Sequence, residues 1–265
     1  MTDALSWQRE IWDQYPEIYS REVDKRFAPV VEGVTGRAAL RPGLSVLDLG
    51  TGTGSVALRA AALVAPGGHV FGVDISRKML AAAQGRAKAA NLTNVTFREG
   101  GGEAIPVGDD AVDVLLASLS VMYMADRAAA AREIARVLRP GGRFVAAVWA
   151  GPEHCDIVRF QQTAGRYAPP PVPGVGPGAL ADPKLFLAQL EDAGIQSSVE
   201  TDDVEFEFDS FASAWDILAR VTTSGLDPEK QQEAKAAVLA MMWPHGDGPR
   251  RLRNRTQFIV GRLAG

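Results

Sequence analysis

A short apolar strand that runs into three closely spaced glycines and then a helix constrains the fold of this chain most. The segment reads VLDLGTGTG at residues 46–54, and Ser55–Val64 has the apolar spacing of a helix. Glycine permits positive φ and lets backbone approach a ligand closely, while the first turn of a helix offers free N–H groups. The segment therefore predicts the first βα unit of a parallel sheet, with a nucleotide-type site at the turn.

The rest of the chain alternates short apolar runs with longer helical ones, which predicts an α/β fold. The predicted strands are Ser45–Leu49, His69–Val73, Val95–Glu99, Val112–Ala117, Arg143–Trp149, Ser198–Phe208 and Gln257–Leu263. The predicted helices are Ser55–Val64, Ser76–Asn91, Asp126–Leu138, Asp182–Ala193 and a block over Phe211–Trp243. A Pro/Gly cluster at residues 168–178 separates the first five strands from the last two.

An acid follows the second predicted strand. Asp74 ends HVFGVD, twenty residues after Gly54, where a carboxylate can accept hydrogen bonds from both hydroxyls of a ribose. The alternative is a helix cap, but Ser76 can serve as the cap itself, so we favour the ribose role. The dinucleotide pattern GxGxxG requires glycine at position 55, which is serine here. The spacing therefore argues against a nicotinamide-dependent oxidoreductase.

The composition excludes several classes of site. The chain has 265 residues, 46% hydrophobic and 23% charged, with a net charge of −4, one cysteine and three histidines. One cysteine supports neither an intramolecular disulfide nor a multi-thiolate zinc site, and we predict no metal. The negative charge and the shortness of the apolar runs predict no nucleic acid binding and no membrane insertion. Without a signal-peptide pattern, we expect a cytoplasmic protein that binds a small molecule.

The chain resembles the class I S-adenosylmethionine-dependent methyltransferases, and among them the ubiquinone/menaquinone biosynthesis type. The resemblance rests on VLDLGTGTG, on Asp74, on EGGGEAIPVGDDAVDVLLAS at 99–118 and on ARVLRPGGRFVAAVW at 135–149, in that order. It implies a Rossmann-like, seven-stranded, mostly parallel sheet with helices on both faces. It also implies S-adenosylmethionine as cofactor and methyl transfer by in-line displacement to a small, aromatic or lipophilic molecule. The acceptor atom stays open between oxygen, nitrogen and carbon, and a non-catalytic S-adenosylmethionine-binding protein is the alternative.

The resemblance also implies roles for individual residues. Asp48 would orient the amino group of the cofactor, Asp74 would hold the ribose, and Ile75 would pack on the adenine. The full implied cofactor set is Asp48, Gly50, Gly52, Gly54, Asp74, Ile75, Gly101, Gly102, Glu103 and Ser118. The chain departs from many relatives at Gly101, where they carry an acid that contacts the adenine; Glu103 or Asp109 would have to replace it.

Candidate catalytic and substrate residues lie near the ends of the later strands and in the N-terminal segment. His154 and His245 are candidate general bases because histidine titrates near neutral pH, and Tyr123 follows the fourth strand, where relatives contact substrate. The candidate substrate-binding residues are Tyr15, Tyr19, Trp149 and Trp243. We interpret Arg250–Arg255 as a solvated turn, with binding of an acidic substrate as the alternative.

We expect a single methyltransferase domain over residues 1–265. Within it, residues 1–42 would form an N-terminal helical cap and residues 43–149 the cofactor-binding core. Residues 151–180 and 211–253 would form a helical lid that recognises the substrate.

Overall fold

The computed structural model describes residues 8–169 and 172–265. Residues 1–7 of the predicted cap and residues 170–171 of the predicted lid lie outside this part of the chain. The described strands form one seven-stranded sheet in the order β3-β2-β1-β4-β5-β7-β6. Their bounds are β1 Ser45–Leu49, β2 His69–Asp74, β3 Val95–Glu99, β4 Val112–Ser118, β5 Leu138–Trp149, β6 Ile195–Phe208 and β7 Arg250–Leu263.

Helices cover both faces of the sheet. In chain order they are α1 (residues 8–12), α2 Pro16–Ile18, α3 Asp24–Arg37, α4 Ser55–Val64, α5 Arg77–Ala89, α6 Arg127–Val137, α7 Asp156–Gly165, α8 Lys184–Asp192, α9 Phe211–Leu218, α10 Arg220–Thr223 and α11 Pro228–Met242. A π-helical segment, Tyr19–Val23, joins α2 to α3. No helix in the described residues is long and apolar enough to cross a membrane.

The sheet topology places a crevice at the carboxyl ends of the central strands. Strands β1 to β5 pair in parallel, and β7 is antiparallel to both of its neighbours, β5 and β6. The chain moves outward from β1 through β2 to β3 and then returns to β4, beside β1 on its other side. Such a reversal of strand order opens a crevice between the loops that follow β1 and β4, which is where α/β sheets bind ligands.

The predicted α/β class and seven-stranded, mostly parallel sheet are confirmed, but two local predictions are wrong. The predicted helical block over Phe211–Trp243 consists of three helices. Strand β5 begins at Leu138 and not at Arg143. Residues 250–255 form the start of β7 instead of a solvated turn.

The arginine run is in a strand because β6 supplies a partner for each exposed side chain. Directly opposite residues pair across the two strands: Arg251 with Glu207 at 2.7 Å, Arg253 with Glu205 at 3.1 Å and Arg255 with Asp203 at 2.8 Å. Cross-strand pairs of opposite charge favour this register. The basic run alone gave no sign of these partners, which lie 44 to 52 residues earlier in the sequence.

Close approach of α3 to the sheet depends on a glycine. A Cβ at Gly33 would lie 2.4 Å from Cζ of Phe258 on β7, so only glycine fits without displacing the ring. The Arg37 guanidinium lies over the same ring, 4.0 Å from its centroid. Helix α3 therefore seats directly on the sheet and fixes the position of the N-terminal segment that precedes it.

Two alanine substitutions within α3 should have opposite effects on stability. Gly33→Ala should lower the free energy of unfolding by about 1–3 kcal/mol, because the added methyl overpacks against Phe258. Gly36→Ala should leave it unchanged or raise it by up to about 1 kcal/mol, because nothing lies within 4 Å of its Cβ and alanine favours a helix. Urea denaturation of both variants is the measurement. Equal effects at the two positions would contradict this packing.

Candidate functional site

A cavity of about 720 Å³ opens at the carboxyl ends of β1, β2 and β4. We name it the first pocket. It is lined by Gln8, Trp12, Tyr19, Leu49, Gly50, Gly52, Asp74, Ile75, Met79, Gly100, Gly101, Gly102, Glu103, Ser118, Leu119, Ser120, Tyr123 and Met124.

The glycine turn after β1 forms one wall of the first pocket. Gly50 has a φ of +73°, and a Cβ there would lie 2.3 Å from Cβ of Ser120. Its N–H donates to the carbonyl of Val73 at 2.8 Å, and the Gly52 N–H donates to Oδ2 of Asp74 at 2.8 Å. The turn is therefore held against the end of β2 with its backbone, not side chains, facing the cavity.

Asp74 presents a carboxylate to the first pocket. Its Oδ1 accepts from the N–H of Ser76 at 2.9 Å, and its Oδ2 accepts from Gly52. Each carboxylate oxygen has further acceptor capacity, so two ligand hydroxyls can still be bound. Burial raises the pKa of Asp74 to about 6, although these backbone N–H groups act to lower it. The carboxylate is therefore ionised at neutral pH and protonated in mild acid.

Asp48 lies beneath the glycine turn rather than in the pocket wall. Only 1% of its surface is exposed. Its Oδ2 accepts from the Thr51 hydroxyl at 2.7 Å, and its buried Oδ1 has no partner in the described residues. Burial raises the pKa of Asp48 to about 7. Asp48 therefore stabilises the glycine turn through Thr51. Its contact with a ligand amino group stays a prediction.

The N-terminal segment covers the first pocket. The Gln8 amide donates to the carbonyl of Tyr123 at 2.7 Å, Arg9 donates to the carbonyl of Ile75 at 3.2 Å, and Asp13 accepts from the Ser76 hydroxyl at 2.6 Å. These bonds tie α1 and the turn after it to the loops that follow β2 and β4. The segment therefore shields the cavity from solvent.

A second network holds the start of α3 against the glycine turn. Asp24 accepts from the Thr53 hydroxyl at 2.8 Å and forms an ion pair with Arg86 of α5. Arg86 also donates to the Thr53 carbonyl at 2.9 Å. The N-terminal segment is thus fixed to the turn from two sides.

A second cavity, of about 630 Å³, adjoins the first. We name it the second pocket. It lies between the N-terminal segment, the ends of β4 and β5, and helices α7, α9 and α10, and its walls are mainly apolar. It is lined by Trp12, Tyr15, Ile18, Tyr19, Val23, Phe27, Leu119, Met122, Tyr123, Trp149, Ile157, Gln161, Ile217, Leu218, Arg220 and Val221.

The two pockets share four residues, and we call this shared wall the junction: Trp12, Tyr19, Leu119 and Tyr123. The Trp12 ring meets Tyr123 edge-on at 5.3 Å and Tyr19 at 6.3 Å between centroids. Leu119 has a φ of +55°, a conformation that costs a residue with a side chain about 1–2 kcal/mol. Burial raises the pKa of Tyr19 and of Tyr123, so both phenols stay neutral.

The structure brings most of the predicted site residues together. In the first pocket lie Gly50, Gly52, Asp74, Ile75, Gly101, Gly102, Glu103 and Ser118. Tyr15 and Trp149 line the second pocket, and Tyr19 and Tyr123 line both. Asp48 and Gly54 lie outside both pockets; Gly54, with a φ of +90°, precedes α4 and packs on Ala83 of α5.

The remaining candidates lie away from the two pockets. His154 and His245 are exposed on the surface and line neither cavity. Trp243 is buried against Phe211, with 5.2 Å between the ring centroids, and its indole N–H donates to Gly248. Neither histidine has a position from which to take a proton inside the described cavities.

Glu103 lies where the acid missing at Gly101 would be needed. A Cβ at Gly101 would lie 3.5 Å from Oε2 of Glu103. The other carboxylate oxygen of Glu103, Oε1, accepts a hydrogen bond from the N–H of Ala125 at 3.0 Å, and this bond orients the carboxylate. Asp109 is instead paired with Arg136 at 2.6 Å and lines neither pocket. Of the two candidates for the acid, the structure brings Glu103 to the first pocket.

Several lining residues were not predicted from the sequence. Leu119 and Ser120 directly follow β4, so the rule that ligands bind at the carboxyl ends of parallel strands would have found them. Trp12 and Phe27 lie in the predicted N-terminal cap, as Tyr15 and Tyr19 do. Ile157, Gln161 and the residues of α9 and α10 lie in the segments predicted to form the lid, but no sequence signal marks them individually.

No group of three or more His, Cys, Asp or Glu side chains within residues 8–169 and 172–265 could hold a metal ion. The single thiol, Cys155, is buried beside Asn254, and burial raises its pKa to about 12. The ionisable side chains that line the two pockets are those of Asp74, Glu103, Arg220, Tyr15, Tyr19 and Tyr123.

Part of the chain is similar to known methyltransferases. Residues 40–162 match a family model described as a methyltransferase domain. The chain is 38% identical over 135 residues to the nocamycin O-methyltransferase of Saccharothrix syringae. The aligned region covers 50% of this chain and 48% of that protein. It is 32% identical over 136 residues to the ubiquinone/menaquinone biosynthesis C-methyltransferase UbiE of Shewanella baltica, 51% of each protein. The chain spans less than two thirds of the length of the curated relatives it matches.

Solved structures have the same fold. A putative methyltransferase from Bacillus halodurans aligns with a TM-score of 0.66 and 20% identity, over 89% of this chain and 99% of that one. This likeness supports the fold, and the family model supports the predicted resemblance to methyltransferases over residues 40–162.

Asp48→Asn should reduce the pH dependence of stability. The folded state holds the Asp48 proton more tightly than the unfolded chain, since its pKa is raised to about 7. The contribution of protonated Asp48 to the free energy of unfolding is therefore complete below about pH 4 and is lost as the pH rises through 7. Between pH 5 and 8, the decline in the free energy of unfolding should be smaller in the variant by roughly 1–3 kcal/mol.

Urea denaturation at the two pH values measures this effect. Asp192→Asn is the control, because Asp192 is an exposed acid at the end of α8. Equal declines in Asp48→Asn and in the unaltered chain would show that the buried carboxyl does not carry this pH dependence.

Proposed function

We propose that this chain, whose residues 40–162 match the model of a methyltransferase domain, transfers the methyl group of S-adenosylmethionine to a small, apolar molecule. The proposal rests on one observation: the cavity that holds the Asp74 carboxylate and the glycine turn shares Trp12, Tyr19, Leu119 and Tyr123 with a second, mainly apolar cavity. Because the two cavities adjoin along these residues, reactants bound in them lie next to each other.

The residues of the first pocket fit S-adenosylmethionine. Asp74 has acceptor capacity for the two ribose hydroxyls, and the backbone at Gly50 and Gly52 permits close approach. Ile75 offers an apolar surface to the adenine, and Glu103 offers a carboxylate to its exocyclic amino group. When bound, the cofactor supplies an electrophilic methyl group on a sulfonium.

The second pocket favours a small acceptor over a macromolecule. It is bounded by α7, α9, α10 and the N-terminal segment. Phe27 and Trp149 meet edge-on at 5.7 Å, and with Met122 they give walls suited to a flat or lipophilic molecule. We therefore assign the predicted lid segments, together with the N-terminal segment, to substrate recognition.

Catalysis then depends on position and exclusion of water. Methyl transfer is an in-line displacement, for which alignment at close range supplies most of the acceleration. Within the described residues, the second pocket contains no histidine, lysine, cysteine or carboxylate that could remove a proton. The chain therefore acts by holding an acceptor that is already nucleophilic, while Tyr19 and Tyr123 can donate hydrogen bonds to it.

Cofactor binding should weaken in mild acid. Asp74 must be ionised to accept both ribose hydroxyls, and burial raises its pKa to about 6. The dissociation constant of S-adenosylhomocysteine should thus be constant above about pH 7 and rise up to tenfold per pH unit below 6. Asp74→Asn should weaken binding by roughly 10- to 100-fold and remove the pH dependence.

Isothermal titration calorimetry between pH 5 and 7.5 measures both effects, with Asp192→Asn as the control. No binding heat with millimolar S-adenosylhomocysteine would refute the proposed cofactor. An unchanged dissociation constant in Asp74→Asn would refute the proposed ribose site.

Methyl transfer itself can be tested with labelled S-adenosylmethionine against phenols, quinols, amines and other aromatic acceptors. On an accepted substrate, Tyr123→Phe should lower kcat by about tenfold, since it removes the hydroxyl but keeps the ring against Trp12. S-adenosylhomocysteine binding should change less than twofold. Tyr167→Phe, outside both pockets, is the matched control. Labelled product in no reaction would favour a non-catalytic cofactor-binding protein.

A further inference from the structure

The second pocket contains a hydrogen-bond donor that no described residue satisfies. Trp149 ends β5 and lines this cavity, and only 2% of its surface is exposed. The bond that Gln257 donates to Trp149 goes to its backbone carbonyl, and the indole Nε1 donates to no acceptor within residues 8–169 and 172–265. The indole N–H of Trp243, by contrast, donates to Gly248. A buried indole N–H usually has a partner, so the one on Trp149 has a capacity to bind that the fold leaves unused.

The indole nitrogen of Trp149 is accessible from the cavity. Five side-chain polar atoms of the described residues have neither accessible surface nor a partner, and they belong to Asp48, Gln161, Gln189, Arg250 and Thr256. Nε1 of Trp149 is not one of these sealed atoms, so it retains accessible surface. Because Trp149 is buried and lines the second pocket, that surface opens into the cavity. A ligand atom in the second pocket can therefore reach the N–H.

Neighbouring rings fix the position of Trp149 relative to the junction. Phe206 of β6 meets its ring edge-on at 6.2 Å between centroids, and Phe27 of α3 meets it at 5.7 Å. Phe27 in turn meets Tyr19 of the junction at 6.4 Å. The indole therefore lies one aromatic ring away from the junction, in a fixed orientation.

Other polar groups of the second pocket differ in position or in partner. The Tyr15 hydroxyl already donates to the carbonyl of Arg220 at 2.9 Å. Arg220 is exposed, so water can solvate its guanidinium. Tyr19 and Tyr123 lie at the junction, whereas Trp149 lines the second pocket only. The indole N–H is thus a recognition point that lies away from the cofactor pocket and from bulk water.

We infer that Trp149 determines substrate specificity by donating its indole N–H to a carbonyl oxygen of the methyl acceptor. This inference rests on the proposed function, because it takes the second pocket as the site of the methyl acceptor. An indole N–H can only donate, so its partner must accept. A carbonyl does so without bringing a donor that the apolar walls would leave unpaired. The substrate class is therefore a flat, largely apolar molecule with its nucleophilic atom at the junction and a ketone or ester carbonyl about one ring away.

A pair of bicyclic probes tests the inference on the full chain saturated with S-adenosylhomocysteine. The probe 6-acetyl-2-naphthol carries a carbonyl, and 6-isopropenyl-2-naphthol replaces its oxygen with a CH₂ group of similar shape. Calorimetry gives the ratio of their dissociation constants, alkene over ketone. This ratio should fall by about tenfold in Trp149→Phe, because the desolvation of the carbonyl is unchanged while its hydrogen bond is lost.

A second variant keeps the shape of the side chain. Site-specific replacement of Trp149 by 3-benzothienylalanine exchanges the indole N–H for sulfur and retains the bicyclic ring between Phe27 and Phe206. The ratio should fall by the same factor of about ten, since the N–H is again absent. A fall in Trp149→Phe without a fall in this variant would mean that packing, not the N–H, sets the preference, and would overturn the inference.

Trp215→Phe is the matched control. Trp215 is partly buried but lines neither pocket, so the variant loses an indole N–H elsewhere in the fold. The ratio should stay within about twofold of that of the unaltered chain. Binding of S-adenosylhomocysteine by each variant reports that it is folded.

The outcomes separate the inference from the proposed function. A tenfold lower ratio in both Trp149 variants, with the ratio kept in Trp215→Phe, supports the inference. An unchanged ratio in either Trp149 variant, an equal fall in Trp215→Phe, or no saturable binding of either probe by the unaltered chain overturns it. If S-adenosylhomocysteine does not bind the unaltered chain, the proposed function has failed and this inference falls with it. If it binds and the ratio does not depend on Trp149, only the role of Trp149 has failed.

Discussion

The attachment of the glycine turn to the end of β2 is the interaction on which the site depends. The N–H groups of Gly50 and Thr51 both donate to the Val73 carbonyl, at 2.8 and 2.9 Å, and the Gly52 N–H reaches Asp74. These bonds require the positive φ of Gly50 and leave no space for a side chain against Ser120. A single arrangement of backbone thereby shapes the first pocket and orients its carboxylate.

The second pocket follows from what the N-terminal segment packs against. Asp24 and Arg86 hold the start of α3 to the glycine turn, while Gly33 lets the same helix lie directly on Phe258. With α3 fixed at both places, the preceding residues lie over the carboxyl ends of the strands. Helices α7, α9 and α10 then close the opposite side. The second pocket is a product of this closure and not of any one element.

The parts of the fold that were predictable are those with local causes. Strands β1 and β3 and helix α4 have their predicted bounds because apolar runs, glycines and caps act over a few residues. The start of β7 was not predictable from the arginine run, because its partners Glu205 and Glu207 are remote in sequence. The same reason explains the site. Asp74 and Gly50 follow strands that the sequence reveals, whereas Gln161 and Ile157 reach it from a helix whose packing the sequence does not describe.

By itself, the sequence determined the α/β class, the positions of the first five strands along the chain and many of the residues that line the first pocket, since these depend on short local patterns such as the glycine turn and Asp74. Tertiary structure alone decided which residues meet across the junction. It placed Tyr19 and Tyr123 between two cavities, brought Glu103 beside Gly101, and left His154 and His245 on the surface. The physical reason is that the residues lining the two pockets come from segments far apart in the chain, whose relative positions are fixed by packing on the sheet.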